Sequence, residues 1–295
     1  MIQGRIIRGI AGFYYVWTED ETVWECKAKG SFRKEGIKPL VGDFVRIEIL
    51  DEQAGTANIV DILTRSNFLI RPAMANVDQA LLLFALKSPD PDGTLLDRFL
   101  ISMSRQNIPV ILCFNKQDLA ADEEIADWKE TYEAAGYRVL VISAHEEGAR
   151  QVLVNALQGK TTVIAGPSGA GKSTVTNLIQ NQIFMETGEI SRKLKRGRHT
   201  TRRAELIRID EGTWFADTPG FTSMEIPDMP KEELQDCFPE FAPYLGGCRF
   251  LGCAHMAEPD CAVKEAVEEG RISGVRYERY RRFYEELKSR EKRKY

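Results

Sequence analysis

The sequence predicts a multidomain α/β protein, because three stretches with different hydrophobic patterns follow one another along its 295 residues. Residues 1–67 alternate apolar and polar positions in short runs. Residues 68–222 contain continuous apolar runs separated by amphipathic segments. Residues 223–295 combine a group of cysteine and histidine residues with a charged stretch, 263–294, that predicts one continuous helix. Since one domain usually takes roughly 100–200 residues, we place domain boundaries at these two changes of pattern.

Residues 1–67 predict a small β-barrel. Five runs show the period-2 alternation of half-buried strands, at 5–10, 14–17, 22–27, 43–49 and 56–62, and turn-rich residues separate them. Five short strands at this spacing favour an OB-fold. Aromatic and basic residues of the barrel suit RNA binding by stacking and backbone contact, although alternation must place many of the aromatic residues in the core. They are Phe13, Tyr14, Tyr15, Trp17, Trp24, Arg33 and Lys34.

Residues 68–222 predict a mainly parallel sheet covered by helices on both faces. The strand candidates, 80–86, 109–114, 138–142 and 161–165, are apolar without polar alternation, which is typical of strands buried on both sides. Helical segments at 94–106, 125–135 and 149–157 lie between them. A turn at 210–212 between two further strand-like runs adds a hairpin.

A glycine-rich segment directly after the predicted strand 161–165 matches the phosphate-binding P-loop pattern. It consists of Gly166, Pro167, Ser168, Gly169, Ala170, Gly171, Lys172, Ser173 and Thr174. A helical pattern follows, so the strand–loop–helix context that this motif requires is present. The loop amides and the helix N-terminus favour bound phosphate. Lys172 is the candidate to neutralise the β- and γ-phosphates, and Ser173 is the candidate ligand of Mg²⁺.

A second motif, at the end of the strand 109–114, predicts the base that is bound. Asn115, Lys116 and Asp118 fit a guanine-reading pattern at an edge where open α/β sheets bind ligands. Guanine offers two adjacent N–H donors that one carboxylate accepts together, whereas adenine has an acceptor at the corresponding ring position. We therefore expect Asp118 to select GTP. Ser143 and Ala144, also at a strand end, are candidates to support the base through a backbone amide.

The remaining nucleotide motif lies downstream of the P-loop. Asp217 ends a predicted strand and begins an Asp-x-x-Gly motif, so its carboxylate is a candidate for the magnesium shell and the Gly220 amide for the γ-phosphate. Thr200 and Thr201 lie in a basic stretch between the P-loop helix and the hairpin, where a GTPase places a magnesium-binding threonine. Thr201 is the preferred candidate, and Thr200 remains the alternative.

Three cysteines and a histidine near the C-terminus predict a metal site. Cys248, Cys253, His255 and Cys261 lie within fourteen residues, whereas the other three cysteines are scattered. Three thiolates and one imidazole complete the closed tetrahedral shell of a structural Zn²⁺ and leave no open position for catalysis. This clustering favours metal ligation in a reducing compartment over disulfides.

Composition indicates a soluble globular protein. Hydrophobic residues make up 43% and charged residues 28% of the chain, with a net charge of −4. The longest apolar run, 80–86, is far shorter than the roughly 20 residues of a membrane-spanning helix, and the first residues lack the apolar core of a secretory signal. We therefore expect a cytoplasmic protein without membrane contact. The basic stretches 190–208 and 271–295 are local candidates for RNA contact.

The order of the motifs identifies a family resemblance. The guanine-reading residues Asn115–Asp118 precede the P-loop, whereas in most GTPases they follow it. With the β-rich start and the Cys/His module at the end, this circularly permuted order resembles the bacterial ribosome small-subunit-dependent GTPase A family along essentially the whole chain. The resemblance implies an OB-fold RNA- and ribosome-binding domain (1–67), a circularly permuted P-loop GTPase domain (68–222) and a helical zinc-binding domain with a basic C-terminal helix (223–295).

The resemblance also implies a function. A family member uses GTP, Mg²⁺ and one structural Zn²⁺, binds the small ribosomal subunit and its rRNA, and acts late in the maturation of that subunit; we expect a monomer. The alternative is a zinc and OB-fold RNA-binding assembly factor in which GTP only regulates docking. A third hypothesis is an ATP-using P-loop kinase, and Asp118 argues against it because its carboxylate fits guanine and not adenine. Phe221 stands where many GTPases carry a water-orienting glutamine, so we expect slow intrinsic hydrolysis, with His199 as a candidate catalytic, water-positioning group.

Overall fold

The computed structural model describes residues 1–30, 32, 36–70, 73–186, 204–217 and 224–293, with only the backbone described for 181–186, 217 and 293. Packing groups the chain into two compact units. The first contains Met1–Leu81, Glu147–Ala165 and Lys172–Gly220, and the second contains Leu82–Glu146, Gly166–Gly171 and Phe221–Tyr295. No helix within the described residues is long and apolar enough to cross a bilayer.

The N-terminal five-stranded barrel is confirmed. Its strands are β1 (Ile2–Ile10), β2 (Phe13–Thr18), β3 (Val23–Ala28), β4 (Phe44–Asp51) and β5 (Thr56–Ile62). β1 pairs antiparallel with both β2 and β4, β2 pairs with β3, β3 pairs parallel with β5, and β5 pairs with β4. Each of the five strands thus has two neighbours within the barrel, and the sheet closes without a free edge.

Strand alternation decides which aromatic residues of the barrel face outward. Val16 and Trp24 belong to the barrel core, and Trp24 is only 6% exposed. Phe13, Tyr15 and Trp17 alternate with Val16 along β2 and remain partly exposed. Trp24 is therefore a core residue and not part of an RNA-facing surface, because the period of two places it on the inner face. Of the predicted basic neighbours, Arg33 and Lys34 lie outside the described residues.

The rest of the first unit contains the elements on either side of the glycine-rich loop 166–171, which itself belongs to the second unit. It contains two short strands, β6 (Phe68–Leu69) and β7 (Met74–Ala75), which pair with each other. It also contains α3 (Ala149–Leu157), β11 (Thr161–Ala165), α4 (Lys172–Glu186) and the hairpin β12 (Glu205–Asp210) and β13 (Thr213–Asp217). β11 and β13 are parallel, and β12 pairs antiparallel with β1 at Arg8 and Glu205.

The guanine-reading motif lies in the second unit. β8 (Gln79–Ala85) runs across the division between the units, and α1 (Gly93–Arg105), β9 (Val110–Asn115), α2 (Asp122–Ala134) and β10 (Arg138–Val141) follow. β9 pairs with β10 in parallel and also neighbours β8. Every residue of β8 is buried, as are five of the six in β9. Burial on both faces explains why these strands read as continuous apolar runs.

The C-terminal module contains only helices among its described residues 224–293. Two 3₁₀ segments, Lys231–Cys237 and Pro239–Tyr244, precede α5 (Ala262–Glu268) and α6 (Gly274–Arg293). The sequence pattern predicted one continuous helix from 263 to 294, and that was wrong. The helix ends because Gly270 adopts φ +74° and the Arg271 amide donates to the Ala266 carbonyl at 2.8 Å, which is a glycine C-cap.

The core of this module is built largely from aromatic residues. Aromatic residues from the second 3₁₀ segment, from the position just before it and from α6 pack into one cluster with Ile101 of α1, and they include Phe238, Phe241, Tyr277, Tyr280, Phe283 and Tyr284. Two of their ring pairs meet edge to face, Phe238 with Tyr280 and Phe241 with Tyr280, the latter at 4.9 Å. One face of the charged helix α6 is therefore a packing surface, and the metal-binding residues are not its only source of stability.

A buried ion network joins α6 to α1. Arg276, 1% exposed, donates to the Asp97 carboxylate at 2.5 Å and to the Glu240 carboxylate, while Arg279 and the Tyr132 hydroxyl also bond Asp97. Burial acts to lower the pKa of Arg276, but the two carboxylates outweigh it and raise that pKa above its ordinary value. Arg276 was a candidate for RNA contact and is not available for it, whereas Arg281 and Arg282 are exposed.

We expect Asp97→Ala to be strongly destabilising, because it removes a partner from two arginines and a tyrosine in this network. Breaking a buried ion pair by removing one partner costs about 3–5 kcal/mol, and the urea midpoint should fall accordingly. The matched control is Asp61→Ala, which breaks an exposed pair with Arg46 at 3.0 Å, and such a pair contributes about 0–1 kcal/mol. Equal urea midpoints for the two variants would contradict the assignment.

Candidate functional site

Asn115 ties the two nucleotide motifs together. It ends β9, is 2% exposed, and both ends of its amide are used. Its Nδ2 donates to the Ala170 carbonyl in the P-loop at 3.0 Å, and the Ala144 amide donates to its Oδ1 at 3.0 Å. The sequence predicted a nucleotide contact for Asn115. In the protein its side-chain amide hydrogen-bonds to two different loops at once, and we call this arrangement the Asn115 clasp. It brings the phosphate loop and the Ser143–Ala144 loop to the end of β9.

Two glycines of the P-loop are required by close packing. Gly166 has φ +146°, and a Cβ there would overlap the Leu83 carbonyl. Gly171 has φ +96°, and a Cβ there would collide with the Asn115 amide nitrogen. Both positions therefore need a residue without a side chain, on grounds of backbone conformation and of space. Gly171 is needed so that the loop can close onto Asn115.

The P-loop leads directly into a helix. α4 begins at Lys172, immediately after Gly171, so its first amides and the positive end of its dipole belong to the phosphate-binding segment. Within this segment, Ser173 is exposed, Thr174 is half-buried and Ala170 is fully buried. A hydroxyl at the first turn of such a helix is placed to reach a metal bound by phosphate oxygens.

The loop predicted to read guanine presents an exposed carboxylate, that of Asp118. Lys116 adopts a left-handed conformation with φ +64° and donates from Nζ to the Ser88 carbonyl. Asp118 follows on a short 3₁₀ turn, Gln117–Leu119, and is exposed. The Gln117 amide donates to the Ile142 carbonyl, which joins this turn to the end of β10 and to the buried Ser143. Asp118, Ser143 and Ala144 therefore come from loops that are fixed by backbone hydrogen bonds.

Several predicted site residues fall outside what the structure describes. His199, Thr200, Thr201, Gly220 and Phe221 lie in residues 187–203 and 218–223, outside the described residues. For Asp217 only the backbone is described, as the last residue of β13. β13 runs parallel to β11, with Ala216 opposite Val163, so the chain reaches Asp217 at the same edge of the sheet at which β11 leads into the P-loop.

We expect Asn115→Asp to weaken nucleotide binding by roughly tenfold to a hundredfold. A carboxylate at this position has no donor for the Ala170 carbonyl, and a buried unsatisfied polar group costs about 1–3 kcal/mol. The P-loop and the Ala144 loop then lose their common clasp. The measurement is the dissociation constant of a fluorescent guanosine diphosphate. Gln117→Glu, a neighbouring amide-to-acid change on the exposed side of the loop, is the control, and wild-type affinity for Asn115→Asp would refute the clasp.

The three cysteines and the histidine come together as predicted. The ligand atoms of Cys248, Cys253, His255 and Cys261 all lie within 4.8 Å of one another. His255 Nδ1 is 3.3 Å from the Cys261 sulfur and 3.6 Å from the Cys248 sulfur. Atoms at these separations can surround one ion at the Zn–S and Zn–N distances of about 2.3 and 2.0 Å. The donor set therefore fits a structural zinc ion.

Groups around the cluster orient its histidine. His255 Nε2 lies 2.8 Å from Gln235 Oε1, so Nε2–H donates and Nδ1 is left as the metal-facing atom. Burial lowers the pKa of His255, which favours the neutral imidazole that metals bind. Tyr277 and Tyr280 donate to the carbonyls of His255 and Ala254. Sequence reasoning missed Gln235, because it lies twenty residues before His255 and belongs to no motif.

Comparison with protein families and solved structures agrees with this geometry. Residues 62–227 match the family described as "RsgA GTPase", and residues 3–57 match "RsgA N-terminal domain". The small ribosomal subunit biogenesis GTPase RsgA of Agathobacter rectalis is 52% identical over 98% of this chain and 99% of its own. The protein of the same name from Caldanaerobacter subterraneus is 47% identical over 100% and 98% of the two chains.

Two solved structures resemble the whole chain. YloQ, described as a circularly permuted GTPase, is 38% identical, with a TM-score of 0.81 over 98% of this chain and 96% of its own. YjeQ from Thermotoga maritima is 32% identical, with a TM-score of 0.83 over 97% and 98% of the two chains. The predicted combination of a barrel, a permuted nucleotide-binding region and a C-terminal Cys/His module is thus confirmed as a fold.

Proposed function

The chain belongs to the RsgA GTPase family, and on this basis we propose that it binds the small ribosomal subunit and hydrolyses GTP to GDP and phosphate during late maturation of that subunit. The observation that carries the proposal is the Asn115 clasp, which holds a phosphate loop beside a guanine-reading loop within one compact unit. Its relatives are named for the biogenesis of the small subunit. A cytoplasmic location and a monomeric state accompany this proposal.

The nucleotide contacts are assigned by chemistry. Asp118 accepts the two N–H groups of guanine, the Ala144 segment supports the base, and the amides of 166–174 with Lys172 hold the phosphates. Ser173, Thr201 and Asp217 are the proposed residues around Mg²⁺. The ion, when bound, neutralises charge that develops on the phosphate oxygens. The Gly220 amide is assigned to the γ-phosphate.

Hydrolysis is proposed to depend on the partner. Phe221 has no group that orients water, so intrinsic turnover is slow, and His199 is the proposed water-positioning residue when the subunit is bound. His199→Ala should then lower subunit-stimulated hydrolysis while leaving affinity for GDP unchanged. Stimulated hydrolysis at the wild-type rate in His199→Ala would show that His199 does not position the attacking water.

A comparison of Thr201→Ala with Thr200→Ala decides which threonine binds Mg²⁺. The variant that lacks the ligand should need a higher magnesium concentration for hydrolysis.

The flanking modules are assigned to RNA and to structure. We propose the barrel, 1–67, and the exposed arginines Arg281 and Arg282 of the C-terminal module, 223–295, as the surfaces for rRNA. The middle part, 68–222, is the GTPase domain. One zinc ion held by Cys248, Cys253, His255 and Cys261 stabilises the C-terminal module and takes no part in hydrolysis, since its four protein ligands complete the tetrahedral shell.

The test is GTP turnover with and without small ribosomal subunits. We expect the subunits to accelerate hydrolysis, with large subunits as the control partner and Lys172→Ala as the control enzyme. Subunit binding that depends on GTP, without any acceleration, would favour the alternative assembly factor in which the nucleotide only regulates docking. Competition by ATP as effective as that by GTP would instead favour a P-loop kinase.

A further inference from the structure

The hairpin 205–217, formed by β12 and β13, is attached to the barrel within the first unit. β12 extends the barrel sheet by pairing with β1, where Arg8 and Glu205 stand opposite each other and their side chains lie 3.7 Å apart. β13 pairs with β11 on its other side. The hairpin is thus hydrogen-bonded on one side to the barrel and on the other side to β11, the strand that leads into the P-loop.

Trp214 anchors the hairpin on the barrel. Its side chain is 7% exposed and lies between two residues of the barrel. The Trp17 ring meets it edge to face at 5.3 Å, and the Arg5 guanidinium lies 5.3 Å from its centre. Arg5 is itself fixed by hydrogen bonds to the carbonyls of Gly42 and Asn76. An aromatic pair and a buried cation–π contact together resist sliding of the hairpin over the barrel.

Arg208 forms a second attachment nearer the surface. Its guanidinium lies 4.7 Å above the Trp17 ring and donates to the Glu21 carboxylate at 2.6 Å. Trp17 is also the last of three outward aromatics on β2, and each of the three has a cation over its ring. Lys27 lies over Phe13 and Arg8 lies over Tyr15, at 5.1 and 4.1 Å. A partner that disturbs this aromatic stripe therefore acts on the residue that holds the hairpin.

Along the chain, the hairpin connects the two segments that carry the candidate residues for Mg²⁺ and the γ-phosphate. Glu205, its first residue, follows the candidate magnesium-binding Thr201 by four positions, and Asp217 is its last residue. Both segments assigned to sensing the γ-phosphate are therefore covalently joined to a hairpin whose side chains hold it on the barrel. Docking on the barrel has a direct physical route to the residues that govern hydrolysis.

We propose that Trp17, Arg208 and Trp214 form a coupling contact through which the RNA-binding barrel positions the hairpin 205–217, and with it the residues that respond to the γ-phosphate. They are positioning residues, since none is assigned to touch the nucleotide. This inference rests on the proposed function, because it explains how a bound subunit accelerates hydrolysis. It predicts that stimulation can be lost while intrinsic turnover is kept.

The first test is a charge swap. Arg208→Glu faces Glu21 with a like charge and also removes the cation over Trp17. Both side chains are partly exposed, at 31% and 58%, so the variant should fold. We expect stimulation at saturating subunits to fall by about fivefold or more, the usual lower bound of a coupling between sites, with intrinsic GTP turnover unchanged. The double variant Arg208→Glu with Glu21→Arg should restore stimulation.

The matched control is the pair Arg46 and Asp61, also exposed and also joining two strands of the barrel, but away from the hairpin. Its single and swapped variants should keep full stimulation at saturating subunits, whatever they do to the affinity of the barrel for rRNA. Undiminished stimulation in Arg208→Glu overturns the inference, and so does a loss of subunit affinity that the swap does not restore, since Arg208 would then contact RNA directly. If wild-type protein shows no stimulation at all, the proposed function fails before the coupling contact is tested.

A spectroscopic readout follows the contact itself. The chain has four tryptophans, and two of them form the edge-to-face pair between the barrel and the hairpin. We expect exchange of GDP for a non-hydrolysable GTP analogue to change tryptophan emission, and Trp17→Phe to abolish that change. Trp128→Phe, on α2 and stacked on Tyr132, should keep it. An emission change of full size in Trp17→Phe would show that the pair does not respond to the nucleotide.

Discussion

Replacing Cys261 by serine should abolish zinc binding and unfold the loop 246–261 of the C-terminal module. The sulfur of Cys261 lies within 4 Å of the Cys248 sulfur and of His255 Nδ1. Its loss therefore leaves the predicted zinc ion with only three protein ligands. Structural zinc sites contribute apparent free energies of about 10–16 kcal/mol in zinc-finger peptides, which makes this the largest single effect we expect. A chelator applied to the wild-type protein should have the same consequence.

The extent of the unfolding follows from the packing of the module. The ion pairs of Arg276 and Arg279 with Asp97 hold α6 on α1, and these contacts include no metal ligand, so α6 should stay folded. Hydrogen exchange should therefore rise over 246–261 and much less over 274–293. Zinc content by mass spectrometry gives the companion measurement, with one ion per wild-type chain.

Cys237→Ser is the control for this experiment. Cys237 is a buried cysteine of the same module, 2% exposed, and it is not one of the four ligands. It should keep one zinc ion and the wild-type exchange pattern in the loop. If Cys261→Ser also retains one ion, or if its loop stays protected, the four residues do not form the zinc site.

Asp118→Asn should lower the affinity for GTP on the order of a hundredfold or more, because hydrogen bonds to a charged group contribute about 1.5–3 kcal/mol each and guanine makes two of them. An asparagine amide offers one acceptor and one donor. The same amide matches xanthine, which carries an oxygen in place of the exocyclic amine, so the variant should gain affinity for xanthosine triphosphate. Opposite changes for the two nucleotides distinguish base reading from general damage.

Competition binding against a fluorescent GDP measures both affinities. Asp122→Asn, four residues further on at the exposed start of α2, is the matched control and should leave both nucleotides unaffected. The assignment of Asp118 would be wrong if its variant bound GTP as the wild type does. It would also be wrong if GTP and xanthosine triphosphate weakened equally, since a misfolded loop has no preference between them.

The elements of the fold were predictable where one face or both faces of an element are buried. The barrel strands and the apolar strands β8, β9 and β11 were predicted close to their observed bounds, because their pattern is set by burial along the local chain. The prediction failed at α5 and α6, where a strongly charged stretch appeared to be one helix. Gly270 is itself a signal of the break, since glycine commonly follows the last turn of a helix, but the charged helical pattern on both sides of it favoured one helix.

Arg276 shows why surface assignments from sequence are less reliable. In the sequence it resembles the exposed Arg281 and Arg282, and all three belong to one basic stretch. In the protein it is buried against Asp97 and Glu240, which lie 179 and 36 residues away. A buried arginine such as Arg276 can be identified as structural only when its distant carboxylate partners are known. Without those partners, the free energy needed to remove its charge from water would prevent its burial.

The sequence by itself predicted the chemistry that we propose for this protein: a phosphate loop, a carboxylate for guanine, and three thiolates with an imidazole for zinc. Each is a short motif whose residues act together because they are close in the chain. Only the tertiary structure decided that Asn115 serves as a clasp, that Gln235 orients His255, and that Trp17 holds the hairpin 205–217 through Trp214. These contacts join residues far apart in the chain, and their partners are selected by packing, which leaves no periodic signal in the sequence.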